Sequence, residues 1–184
     1  MLAFWFAPEN AAHWFDGDVA FDERIRTLFA ADAAAAAAGR FDSWAARPAD
    51  WLALLILLDQ FPRNLYRGDA RAWAQDAGAQ RIALSGIAEG HDGRLPVPWR
   101  VFAYLPLEHA EDIALQRRSV ALFEALCAQA PPEWRSPCGN FLDYARRHCE
   151  VIARFGRFPH RNAVLGRAGT AEERAYLAQP GAGF

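Results

Sequence analysis

Arg154-Phe155-Gly156-Arg157-Phe158-Pro159-His160-Arg161-Asn162 near the end of the chain echoes an earlier stretch, Asp59-Gln60-Phe61-Pro62-Arg63-Asn64. Each follows a strongly apolar run with helical spacing. Each then places Phe-Pro, Arg and Asn where an ordinary helix stops with Gly and a solvated loop. Two such endings make the chain a series of helices, and charged groups beside Phe and Pro point to a polar interior or a ligand pocket.

Working outward from these stretches, helical periodicity dominates and no alternating strand pattern appears. The spacing predicts a helix over about 21–38, with Ile25, Leu28, Phe29 and Ala33 on one face and Gly39 as its stop. Pro48 suits the first turn of a helix that is apolar nearly all round from Trp51 to Phe61 and is therefore central. Asp69 is expected to cap a helix over 70–88 that buries Trp73, Ala77, Leu84 and Ile87. Gly90 to Pro98 reads as a turn region, followed by a long helix over 107–128, a break at Pro131-Pro132 and a helix over 140–155. Thr170-Ala171-Glu172-Glu173 forms a capping box for a short final helix. The expectation is a single all-α domain over 1–184, built as an antiparallel bundle or stacked helical hairpins. Trp14, Trp44, Trp51 and Trp73 are expected in its core.

The 184 residues suffice to bury a core without staples, and 53% are hydrophobic against 23% charged. A net charge of -2 gives no field that would draw the chain onto nucleic acid or an anionic membrane. All 20 basic residues are Arg, so Schiff-base and P-loop lysine chemistry is excluded, and anion recognition falls to guanidinium groups. Three cysteines without paired spacing argue against a disulfide framework, and Cys127 and Cys149 read as reduced core thiols. The N-terminus lacks a basic leader, and the longest bulky apolar run, Trp51 to Leu58, is too short to span a membrane. A cytoplasmic protein is expected.

Several polar residues fall on apolar arcs. On a helix over 107–128, Glu108, His109, Asp112 and Gln116 share the arc of Ile113, Val120 and Phe123, while Glu111 points to solvent. His148 sits among Phe141, Tyr144, Ala145, Ile152 and Phe155, and Asp32 has the spacing of Ile25 and Phe29. Isolated buried charges cost several kcal/mol, so these groups are expected to pair. The result is a cluster in which His148 and His160 are the acid/base candidates, oriented by Glu108 or Asp112. Asp59, Arg63, Asn64, His109, Arg157, Arg161 and Asn162 form the ligand-binding set, with the arginines forking onto phosphate or carboxylate. The bland alternative is a buried ion-pair network that fixes helix packing. No metal is assigned, because neither Glu-x-x-His nor His-Glu-x-x-His occurs. A Gly-rich phosphate loop, a nucleophile elbow and a basic stripe for nucleic acid are likewise missing, and no cofactor is named.

Leu57 through Gly68, Tyr104 through Asp112 and Arg154 through Gly166 together resemble the motifs of the bacterial domain-of-unknown-function family 924, with Phe4-Trp5-Phe6 and Pro180-Gly181 extending the likeness to both ends. The resemblance implies an all-helical fold similar to tetratricopeptide-like hairpins and brings no catalytic residues, since the family has no established activity. Members often carry Ser where this chain has Ala110. Two functions stand side by side: binding of a small anionic ligand, with or without acid/base catalysis, and a helical-repeat scaffold that grips a partner peptide.

Overall fold

The computed structural model describes residues 1–183 and, among these, contains helices and no strand. The fold class is all-α, as expected. The chain falls into two compact units, residues 1–106 and 107–184.

In the first unit, α1 (Leu2–Trp5) and α2 (Pro8–Ala11) lead to α3 (Val19–Ala37). Asp18 caps α3 by accepting from the N–H groups of Ala20 and Phe21. Gly39 follows it at φ +76°, a left-handed position that costs Gly nothing. Next come α4 (Pro48–Leu55), a π-helical turn over Ile56–Gln60 and α5 (Phe61–Leu65). Every residue from Trp51 to Pro62 is buried, so the central helix is central. The core is aromatic: Trp5 meets Phe61 at 5.5 Å and Phe102 at 5.4 Å, both edge to face.

α6 is shorter than expected, Asp76–Ala88, and Asp69 caps a separate 3-10 turn, Ala70–Trp73. Its buried face is Ala79, Ala83 and Gly86, in place of Ala77, Leu84 and Ile87. The reason is Trp51. Its indole donates to the Ile82 carbonyl at 2.8 Å and lies so close to Gly86 that a Cβ there would come within 2.3 Å of the ring. Small residues therefore face the neighbour and larger ones are turned to the rim. Of the four tryptophans expected in the core, Trp51 alone is fully buried; Trp14, Trp44 and Trp73 are half-buried.

α7 (Val97–Glu108) contains the boundary between the units, at Pro106. It ends where a single long helix was expected to begin. His109 to Asp112 form a turn, and α8 (Ile113–Gln129) starts after it. A two-residue connection then brings the chain back along α9 (Pro132–Phe155), which makes the most extensive helix pair of the second unit. α9 starts earlier than residue 140, because Pro132 takes the first-turn position and Pro137 lies too near the start to break a hydrogen bond that the helix needs. Cys127 and Cys138 are joined by a disulfide between α8 and α9, with 5.4 Å between Cα atoms, which corrects the reading of Cys127 as a reduced thiol. Cys149 is free. Gly156, at φ +69°, stops α9, a 3-10 turn spans Pro159–Arg161, and α10 (Ala171–Leu177) opens with the expected capping box.

Candidate functional site

The second Phe-Pro stretch, the end of α7 and the middle of α9 bring one cluster together around the ring of Phe158, which is fully buried. Phe158 packs against the small core of Val151 and Ile152. His148, one helical turn before Ile152, lies edge-on to it at 5.5 Å between ring centres, and His160 lies at 5.6 Å. The guanidinium of Arg161 stands over the same ring at 4.5 Å and donates to the His109 carbonyl at 3.1 Å. The ring of His109 is 6.3 Å from that of His148. Three imidazoles and a buried guanidinium thus surround one phenyl group. Arg161 and His148 are each 6% exposed, whereas His160 is half-buried and forms the accessible edge.

Glu108 completes the set. It is buried, and its Oε1 lies 3.1 Å from His148 Nδ1, which also lies 2.8 Å from the Tyr144 carbonyl. Gln116, fully buried as expected, bridges the end of α7 by donating to the carbonyls of Glu108 and Ala110. Burial pushes His148 well below the usual imidazole range, and His109, Arg161 and His160 add to this, against the opposing pull of the Tyr144 carbonyl. Burial and Arg161 push His160 down to about 4, with Glu111 pulling the other way. Both rings are neutral near pH 7.

Other expected members have different duties. Asp112 is exposed and caps α8, accepting from Ala114 at 2.7 Å and Leu115 at 3.0 Å. It does not orient a histidine. The helix wheel placed it inside because the break between α7 and α8 was read as continuous helix. The same error turned Glu111 to solvent. Instead Glu111 accepts the Phe158 N–H at 2.7 Å and both arms of the Arg167 fork at 2.6 and 2.9 Å. Burial raises the Glu111 carboxyl, but Arg167 and the Phe158 N–H outweigh it and the net shift is downward. Glu111 and Arg167 therefore pin the backbone of the Phe-Pro turn, a role that no spacing rule picks out. Arg157 is engaged by Glu173 at 2.6 and 2.9 Å, and this fork, with the Thr170 N–H and Asn162, holds Glu173 at about 2. Asn162 is buried beneath it and accepts the Arg167 N–H through its carbonyl.

Asp59, Arg63 and Asn64 belong to the first unit and form a network there. Arg63 contacts Asp59 at 3.3 Å and Asp76 at 3.1 Å; burial opposes its charge, but the two carboxylates more than offset this. Asn64 donates to Asp22 at 2.8 Å, and Arg67 forks onto the same carboxylate. Asp22, which the periodicity passed over, is buried, while Asp32 is exposed. The first unit also holds a cluster missed in the sequence, in which the Tyr104 hydroxyl donates to Asp92 at 2.7 Å beside Arg100.

A groove of about 200 Å³ runs between α9 and the C-terminal tail, lined in part by Arg147, Glu150 and Tyr176. It contains none of the expected site residues.

The solved structure of a protein of unknown function, ATU0120 from Agrobacterium tumefaciens, is similar to this chain at 40% identity and a TM-score of 0.86, with 96% of this chain and 94% of that one covered. Curated proteins provide no match. A family profile described as "Bacterial protein of unknown function (DUF924)" matches residues 1–181, and the chain belongs to that family.

Proposed function

We propose that this member of a family of unknown function binds a small anionic ligand at the Phe158 cluster, with Arg161 as the cation and His160 as the entrance. The observation that carries the reading is the convergence of His109, His148, His160 and buried Arg161 on one ring, with two of the imidazoles held neutral. Purely structural packing has no use for three imidazoles. Each costs several kcal/mol if it must be buried charged, and a neutral imidazole poised beside an arginine is a standard means of moving a proton on a bound anion. We further place the protein in the cytoplasm, a reducing setting in which the half-buried, unpaired thiol of Cys149 is unremarkable.

The test is a thermal-shift and calorimetric titration at pH 7 with phosphate and small mono- and dicarboxylates. Ligand at about 100 times its Kd adds roughly 2.7 kcal/mol, a shift of a few degrees at this chain length. The shift should vanish in Arg161→Ala and His160→Ala and persist in Arg154→Ala, whose side chain pairs on the surface with Glu172. If no anion stabilises the protein, or if His160→Ala leaves the shift intact, the reading is wrong.

A further inference from the structure

The partners of His148 Nδ1 decide which of its nitrogens carries the proton. Nδ1 lies 2.8 Å from a backbone carbonyl, Tyr144, and 3.1 Å from a carboxylate oxygen, Glu108 Oε1. A carbonyl only accepts, and so does an ionised carboxylate, so the contact is a hydrogen bond only if Nδ1 donates. We infer that His148 is locked as the Nδ1–H tautomer, that its Nε2 is the proton acceptor of the Phe158 site, and that the ligand is therefore bifunctional: an anion that also presents a hydroxyl or ammonium donor. This rests on the anionic-ligand reading above.

Two further features support it. Arg161 and His148 pack on the same phenyl ring, at 4.5 and 5.5 Å, so one small molecule can reach both. The groups facing the His148 ring are Glu108, His109, His160 and Arg161. Only Glu108 favours a charged imidazole, yet the net direction is down, so the ring keeps its lone pair through neutral pH. A lone pair on Nε2 rewards a ligand donor and penalises an acceptor, and a site built to bond a hydroxyl rejects the analogue without it. Glu108 is on this view a positioning residue: with the Tyr144 carbonyl, it fixes the tautomer and ring orientation, as carbonyl and carboxylate partners do for functional histidines generally.

The experiment has two arms. Long-range proton–nitrogen NMR on protein labelled with nitrogen-15 in histidine reads the tautomer directly in the wild type, with His148 identified by its contacts to the Phe158 ring. A neutral Nδ1–H pattern from pH 5.5 to 8 is expected; an Nε2–H pattern or an imidazolium in that range overturns the assignment. In the second arm, thermal shifts compare lactate with propionate and malate with succinate, each pair differing by one hydroxyl. The hydroxylated member should bind at least tenfold more tightly, and His148→Asn, whose amide can still donate to the Tyr144 carbonyl, should abolish that preference while leaving weak anion binding. Equal binding within each pair overturns the acceptor role but leaves the anion site standing. Binding by no member removes the anion site and the bifunctional ligand together, and the tautomer is then judged by NMR alone. Should His148→Asn fail to fold, the paired comparison in the wild type still decides.

Discussion

The two Phe-Pro stretches share letters and differ in what they do with a buried arginine. After Phe61-Pro62 the helix continues, and Arg63 is clamped between Asp59 and Asp76 with no histidine in its printed contacts. After Phe158-Pro159 the chain makes a 3-10 turn, and Arg161 meets a carbonyl and a phenyl face with imidazoles around it. The first arrangement puts more negative than positive charge at one point and fixes geometry. The second keeps protonatable groups neutral beside a cation and leaves one of them half-exposed. A lock and a site can thus be written with the same tetrapeptide, and the neighbours make the difference.

Four measurements would break or sharpen that contrast. The largest effect is expected in the lock: Arg63→Ala leaves Asp59 and Asp76 buried without their cation and should cost about 3–5 kcal/mol in urea unfolding. A loss below about 1 kcal/mol would show the pair to be solvated. Next is acid sensitivity of the site. An unfolded imidazole takes its proton near pH 6.5, but folded His160 does so only near 4, so stability is fully present above 6.5 and is lost as pH falls toward 4. At about 1.4 kcal/mol per pH unit this amounts to roughly 3 kcal/mol, with His148 acting in the same direction. His160→Ala should flatten the slope between pH 6.5 and 4.5, whereas Arg63→Ala should not.

The third measurement concerns the hairpin that carries His148. Reducing the Cys127–Cys138 bridge, which spans 11 residues, should lower stability by about 2–3 kcal/mol. An unchanged melting curve in dithiothreitol would mean that α8 and α9 hold the site without it. The smallest effect is expected for Asp112→Ala, which removes only the α8 cap and should cost about 1 kcal/mol in thermal unfolding. A loss of several kcal/mol would return Asp112 to the cluster from which the structure removes it.

Much of the architecture was legible because it rests on local rules. The capping box at Thr170, Pro48 and the all-round apolar run from Trp51 each have one favoured outcome. His148, Glu108 and Gln116 were legible as buried polar groups because their helical spacing placed them with Phe and Ile. What escaped depended on partners distant in sequence. Trp51 chose the buried face of α6, Asp22 was claimed by Asn64 and Arg67, and Glu111 by Arg167 more than fifty residues away. The break after Glu108 escaped because Leu107 through Leu115 contains neither Gly nor Pro, and its only signal was Asp112 two residues before Ala114, a cap that reads equally well as an interior acid.

The π turn over Ile56–Gln60 has a consequence for chain length. It holds one residue more than an α-helical turn would at that point, and so sets the rotational phase of everything after it. Deleting any one residue there would relax the turn to ordinary α geometry and swing the following segment by about 100°. Arg63 would leave its two carboxylates and Phe61 would leave Trp5, although every side chain except the deleted one would be retained. The segment should accept conservative replacements and reject a change of length, which makes its residue count, as much as its composition, part of the information that folds the first unit.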